Sequence, residues 1–132
     1  MTPEGLIVRP NAYGPKETAD RLAAALQARG VAVLARIDHA GAAAEVGLTL
    51  APTEVLIFGN PKAGTPLMQA AQTMGVDLPL RALVWREETG ATQLGYNDPH
   101  WLARRHGVEA EHTAILAAMS DLLAAVAQQA TA

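Results

Sequence analysis

Histidine is the side chain in this sequence best suited to acid–base chemistry, because the chain has four histidines and no cysteine. The unperturbed imidazole changes charge near neutral pH, so it can take up or release a proton under physiological conditions. His39 falls at the end of a predicted strand and His106 at the end of a predicted helix. Either could act as general acid or base with Asp98 or Tyr96 nearby. His39, Asp98 and His106 are therefore the candidate catalytic residues.

The histidine spacing does not favour a metal site. His100, His106 and His112 follow one another at intervals of six residues, which turn a helix by about 240°, so successive rings do not share a face. A metal site would need distant positions, for instance His39 with His106 and a carboxylate. Without cysteine there are no disulfides, thiol nucleophiles or thiolate-ligated metals. We expect no metal and no cofactor.

A turn between a predicted strand and a predicted helix, Gly59–Pro66, could hold an anion. Backbone amides and the helix dipole favour negative charge at such a place, and Lys62 adds a cation. However, Pro61 and Pro66 each remove an amide, and the segment matches neither common phosphate-binding motif. The alternative is a tight turn in which Thr65 caps the next helix.

The densest polar and aromatic cluster is Tyr96–His106. Asp98 precedes Pro99 and is typical of a helix N-cap. A guanidinium in this cluster could bind a carboxylate or phosphate through two hydrogen bonds. The candidate ligand-binding residues of the chain are Asn60, Lys62, Thr65, Tyr96 and Arg104.

Hydrophobic periodicity places these residues on a series of strands and helices. The predicted strands are Gly5–Pro10, Val31–Asp38, Thr53–Phe58, Leu80–Glu87 and Ala91–Asn97. The predicted helices are Pro15–Arg29, Ala40–Val46, a helix from Pro66 to the stop at Gly75, Pro99–Arg105, and about Glu109–Gln129. The short loop Glu88-Thr89-Gly90 predicts an antiparallel hairpin. We therefore expect a two-layer α+β fold, with helices covering an antiparallel or mixed sheet.

Length and charge limit the classes of function. The 132 residues fit a single domain, 1–132. A net charge of −3 argues against nucleic acid and anionic membranes as partners. The apolar stretches are interrupted well short of the ~20 residues of a membrane helix, and the first ten residues do not look like a signal peptide. We expect a cytoplasmic protein.

Several blocks of the sequence resemble the bacterial domain-of-unknown-function 302 family. These are His39-Ala40 to Gly47-Leu48, Leu50-Ala51-Pro52-Thr53, Phe58 to Met68 with its Gly-Asn-Pro-Lys-Ala-Gly-Thr stretch, Leu78-Pro79-Leu80, and Tyr96-Asn97-Asp98-Pro99. The resemblance covers essentially the whole chain. It implies a β-α-β(4)-α architecture similar to TATA-binding-protein-like domains and a homodimer, but no reaction.

Three functions remain open at this point. The first is a homodimer that binds a small anionic or carboxylated molecule where the Asn60–Thr65 turn meets the Tyr96–His106 cluster. The second is an enzyme that uses His39 or His106 as acid or base. The third is a protein-interaction module, which predicts a large exposed apolar patch and no pocket lined by the polar cluster.

Overall fold

A computed structural model describes residues 2–132 and confirms the α+β fold class. The strands are β1 (Leu6–Asn11), β2 (Ala32–Asp38), β3 (Thr53–Gly59), β4 (Leu80–Arg86) and β5 (Thr92–Asn97). The helices are α1 (Pro15–Ala28), α2 (His39–Glu45), α3 (Pro61–Ala70), α4 (Pro99–Arg105) and α5 (Thr113–Thr131), with a 3₁₀ helix at Gln72–Val76.

The strands of this described region form one antiparallel sheet in the order β1-β5-β4-β3-β2. The predicted hairpin is present: Val84 pairs with Leu94, and the amide of Glu87 donates to the carbonyl of Ala91 at 2.8 Å. Gly90 has a φ of +90°, which glycine adopts without the steric penalty of a Cβ atom. The first strand pairs with the last, so β1 and β2 are the two edges.

Helices α1 and α5 pack against one face of the sheet, which we call the covered face. Alternation along each strand sends every second side chain to this face. The strand side chains buried here are Leu56, Phe58, Leu80, Ala82, Val84, Thr92, Leu94 and Tyr96. They meet Leu22 and Leu26 of α1 and Leu116, Leu123 and Val126 of α5 in the core cluster.

The opposite face of the sheet, which we call the uncovered face, carries the other half of the strand side chains. By the register, these are Leu6, Val8 and Pro10 of β1, Ala32, Ala35 and Ile37 of β2, Thr53, Val55 and Ile57 of β3, Arg81, Leu83 and Trp85 of β4, and Gln93, Gly95 and Asn97 of β5. Most of them are aliphatic or aromatic, although this face is not part of the buried core.

The start of α3 differs from the sequence prediction. The helix begins at Pro61, not Pro66, and Asn60 is its N-cap: the Asn60 side chain accepts a hydrogen bond from the amide of Lys62 at 2.9 Å. Thr65 therefore lies inside the helix. Proline is tolerated at Pro61 because the first helical amide has no partner in any case. Pro66 is also within the helix, where it removes one backbone hydrogen bond.

The last helix begins later than predicted, at Thr113. Gly107 has a φ of +72° and ends α4, and turns occupy the residues up to α5. Helix α5 is long and apolar enough to cross a membrane by length and composition alone. In this fold its row of Leu116, Leu123 and Val126 packs into the domain core.

Candidate functional site

Three side chains from two parts of the chain form a hydrogen-bonded line at the end of α4. His106 is the C-cap of this helix. Its Nε2 lies 2.5 Å from Oδ2 of Asp77, and its Nδ1 lies 2.8 Å from Oγ1 of Thr73. The side chains of His106 and Asp77 are only 8% and 14% exposed, whereas Thr73 is exposed to solvent. We call Thr73, Asp77 and His106 the His106 triad.

The partners of the His106 ring define its neutral tautomer. A carboxylate only accepts hydrogen bonds, so Asp77 requires the proton on Nε2. In the neutral ring Nδ1 then has a free lone pair and accepts a hydrogen bond from the hydroxyl of Thr73. The ring is thus arranged to take a proton from this hydroxyl.

Two arginines of α4, Arg104 and Arg105, precede His106 in the chain, and both are paired with carboxylates. Nη1 of Arg105 lies 3.0 and 2.9 Å from the two carboxylate oxygens of Asp77. Arg104 donates to Glu109 at 2.7 Å, and Nδ1 of His100 lies 3.6 Å from the same carboxylate. The charge of Arg104 is therefore already balanced within the chain.

A cleft of about 250 Å³ lies on the uncovered face. Its apolar lining comes from Leu6, Val55 and Leu83, and its polar lining includes His39, Arg81 and Asn97. Tyr96 also borders it, but the register sends the Tyr96 side chain to the covered face. The cleft thus combines an aliphatic surface with a guanidinium, an imidazole and an amide.

Arg81 is the one charged side chain among the strand positions of the uncovered face. It makes no salt bridge to any acidic group within residues 2–132. An unpaired guanidinium beside aliphatic side chains is suited to a carboxylate that carries an apolar group.

A larger cleft, of about 390 Å³, lies near the start of α1 and the end of β2. Its cations are paired. Arg36 contacts Glu54 at 2.7 Å and Asp20 at 2.9 Å, and Lys16 contacts Asp20 at 3.0 Å. Hydrogen bonds from Lys16 and then Arg36 hold the pKa of Asp20 below its ordinary value. This cleft therefore offers an anion no unpaired cation from Lys16 or Arg36.

The structure places the predicted ligand-binding residues at separate locations. Asn60, Lys62 and Thr65 are exposed on α3, and none of them lines either cleft. Arg104 is exposed on α4 and paired with Glu109. Tyr96 is in the core, where burial raises the pKa of its phenol; nearby Arg9 opposes this rise and Asp98 adds to it.

The candidate catalytic residues are likewise apart. His39 is the first residue of α2 and lines the cleft on the uncovered face. Asp98 is the N-cap of α4, as predicted, and accepts a hydrogen bond from the amide of His100 at 2.9 Å. His106 is at the other end of α4, and its side-chain partners are Asp77 and Thr73 instead of Asp98 or Tyr96.

Thr73, Asp77 and Arg81 are not among the site residues predicted from the sequence. Thr73 and Asp77 lie 33 and 29 residues from His106, and no spacing motif links them. For Arg81 a signal was present: it is a charge at an outward position of a strand whose other outward positions, Leu83 and Trp85, are apolar. Such an isolated charge could have been identified from the alternation of the strand alone.

Comparison with known proteins gives relatives of two kinds. The chain is 47% identical over 104 residues to proteins named fluoride-specific ion channel FluC 1 in Brucella suis and Brucella abortus. The match covers 79% of this chain, but only 41% and 38% of those proteins, so the chain spans about two fifths of their length.

A solved structure has the same fold. The crystal structure of an uncharacterized conserved DUF302 protein from Bacillus stearothermophilus has a TM-score of 0.84 and 25% sequence identity, covering 97% of this chain and 99% of that one. The family described as "Domain of unknown function DUF302" matches residues 8–126. The chain therefore belongs to the DUF302 family.

Proposed function

We propose that this domain is a cytoplasmic homodimer that binds a small carboxylate with an apolar group in the cleft around Arg81. The observation that carries the proposal is the unpaired Arg81 guanidinium beside Leu6, Val55 and Leu83. Asn97 and His39 add hydrogen-bonding groups at the border of the cleft. The carboxylate pairs with Arg81, and the apolar group contacts the aliphatic surface.

The size of the cleft supports a small ligand. Its volume of about 250 Å³ is below the range of roughly 300–1,000 Å³ that is usual for drug-sized molecules. A short-chain carboxylate such as hexanoate has both required groups and serves as the probe. We do not assign fluoride conduction to this chain, because it spans only about two fifths of the FluC proteins.

Binding is tested by isothermal titration calorimetry with hexanoate. Hexanamide, which has nearly the same shape but no charge, is the ligand control. Arg81→Gln is expected to weaken hexanoate binding about 10- to 100-fold, since hydrogen bonds to charged groups contribute about 1.5–3 kcal/mol. The matched protein control is Arg86→Gln, because Arg86 lies on the same strand and on the opposite face.

Two results would overturn the ligand proposal. One is equal binding of hexanoate and hexanamide, which would remove the role of charge. The other is unchanged hexanoate affinity in Arg81→Gln. Sodium fluoride is titrated in parallel because of the named relatives, and binding of fluoride without hexanoate would replace the proposed ligand class.

The second copy in the proposed dimer covers the uncovered face. Five strands spaced about 4.8 Å apart, with about six residues of roughly 3.3 Å each, present roughly 500 Å² in projection. Two such faces bury roughly 1,000 Å², which is about the minimum for a specific interface. The mostly apolar character of Val8, Val55, Ile57 and Trp85 suits contact with an identical surface.

Dimer formation and anion binding are coupled in this proposal. Two apposed faces would bury both Arg81 side chains, and an unpaired buried charge is costly. A bound carboxylate offsets this cost, so the ligand should favour the dimer by mass action. Arg81→Leu should dimerise without an anion, because it removes the charge and keeps an apolar side chain.

Sedimentation equilibrium with and without hexanoate tests the coupling. Hexanoate should shift wild type towards the dimer, whereas Arg81→Leu should dimerise without hexanoate. Val55→Glu should be monomeric, whereas Val46→Glu, at an exposed site outside the sheet, should behave like wild type. The interface lies elsewhere if wild type dimerises equally with and without hexanoate and if Val55→Glu is still a dimer.

A further inference from the structure

The His106 triad has the order of groups that activates a hydroxyl: carboxylate, imidazole, hydroxyl. Asp77 holds the proton on Nε2 of His106, and Nδ1 accepts a hydrogen bond from the hydroxyl of Thr73. The two distances of 2.5 and 2.8 Å are within hydrogen-bonding range, as a nucleophile and its base require. The roles of the two ring nitrogens are exchanged relative to the serine protease arrangement, but the proton path is equivalent.

The carboxylate and the imidazole of the triad are mostly buried, and its hydroxyl residue is exposed. His106 and Asp77 are largely shielded from water, whereas Thr73 is exposed. The base is thus held by its neighbours, and the hydroxyl is open to a molecule from solution. A group that served only to join α4 to the 3₁₀ helix would not need an exposed hydroxyl at its end.

An apolar contact is available beside the hydroxyl. Side chains three residues apart lie one above the other on a 3₁₀ helix, so Thr73 and Val76 share a face. The Val76 side chain is 65% exposed. A small ester could place its acyl group or its leaving group against this side chain.

We propose that Thr73 is the nucleophile of an acyl-transfer site for small esters, with His106 as general base and Asp77 as a positioning residue. Oγ1 of Thr73 forms a bond to the carbonyl carbon, and its proton passes to Nδ1 of His106. The bond from that carbon to the alcohol oxygen then breaks, and the alcohol leaves with the proton from His106. Water, deprotonated by the same nitrogen, then forms a bond to the acyl carbon. The bond from that carbon to Oγ1 breaks, the acid leaves, and Oγ1 takes the proton back from His106.

The test is the reaction of the whole chain with p-nitrophenyl acetate. Release of nitrophenol is followed by absorbance, and the acetyl group is located by peptide mass spectrometry. The expected result is acetylation at Thr73 and a rate about 100-fold lower in Thr73→Ala, because the nucleophile that His106 activates is gone. Thr73→Ser should remain active. Because Thr73 is exposed, neither change should prevent folding.

Matched variants separate this site from general surface reactivity. Thr89→Ala removes another exposed hydroxyl, and His100→Gln removes another imidazole of α4; both should react like wild type. Arg81→Gln should also be unaffected, so failure of this proposal and failure of the ligand proposal can be told apart. Acetyl groups on lysine alone, or an unchanged rate in Thr73→Ala, would overturn the proposal.

The positioning role of Asp77 has its own readout. Long-range ¹⁵N–¹H spectra report which nitrogen of the His106 ring carries the proton. In wild type the proton should be on Nε2. In Asp77→Asn the side-chain amide can donate to Nε2, so the proton should move to Nδ1 and the acetylation rate should fall. A fall in rate with the proton still on Nε2 would contradict this role.

Discussion

Gly5 lies directly against the indole ring of Trp101. A Cβ atom at Gly5 would be 2.3 Å from Cδ2 of Trp101, which is closer than two non-bonded carbon atoms can approach. The φ of Gly5 is +81°, and its carbonyl accepts a hydrogen bond from the amide of Asp98 at 2.8 Å. The entry to β1 and the start of α4 are therefore joined at one residue that has no side chain.

Gly5→Ala should lower the free energy of unfolding by about 2–5 kcal/mol. Left-handed backbone costs an alanine about 1–2 kcal/mol, and displacement of a packed ring costs about 1–3 kcal/mol. Urea denaturation followed by circular dichroism measures the change.

Gly30→Ala is the control for the backbone contribution. Gly30 has a similar φ of +73°, but nothing lies within 4 Å of a Cβ atom at this position. Gly30→Ala should lower the free energy of unfolding by only about 1–2 kcal/mol. Equal losses for the two variants would show that the contact with Trp101 contributes nothing.

Asn60→Ala should destabilise the domain by about 1 kcal/mol, because it removes the N-cap hydrogen bond to Lys62. Thr65→Ala should change stability by less than about 0.5 kcal/mol, since Thr65 is an exposed position inside α3. Thermal denaturation compares the two. If Thr65→Ala destabilised the domain more than Asn60→Ala, the helix would begin at Pro66, as predicted from the sequence.

The fold was predictable where local signals agreed with one another. Asp98 and Pro99 form a cap and first turn that depend only on neighbouring residues, and this helix start is confirmed. At α3 two local signals competed, because Asn60-Pro61 and Thr65-Pro66 are both cap and first-turn pairs. The first pair forms the cap, and Gly64 and Leu67 are the buried residues of the resulting helix.

The candidate sites depended on contacts that no local pattern encodes. His106 was recognised from its chemistry, but its partners Thr73 and Asp77 come from a 3₁₀ helix and the residue after it. Tyr96 was chosen for its position in a polar cluster, yet strand alternation places it in the core. A count of the outward positions on β4 would have identified Arg81.

The pKa of Asp20 should rise in Lys16→Met. In the folded chain hydrogen bonds from Lys16, and then from Arg36, lower this pKa. A carboxyl with a lowered pKa stabilises the fold above its ordinary value of about 3.9, and this contribution is lost as the pH falls through the lowered pKa. Carboxyl ¹³C shifts measured against pH report the change. Lys62→Met is the control and should leave the pKa of Asp20 unaltered.

Tyr96 should ionise only at a pH above the ordinary tyrosine value of about 10. Burial is the main cause of its raised pKa, and Asp98 adds to it while Arg9 opposes it. Because the unfolded chain releases this proton first, the contribution of Tyr96 to stability is fully present below about pH 10 and is lost as the pH rises through the raised pKa.

The chain has two tyrosines, so Tyr13→Phe leaves Tyr96 as the only phenol. Absorbance of tyrosinate then follows Tyr96 alone, and chemical denaturation at each pH follows stability. The absorbance should rise above pH 10, together with a loss of stability, and Tyr96→Phe should lack this part of the loss. Ionisation at or below about pH 10 in the folded protein would mean that the phenol is in contact with water and is not buried in the core.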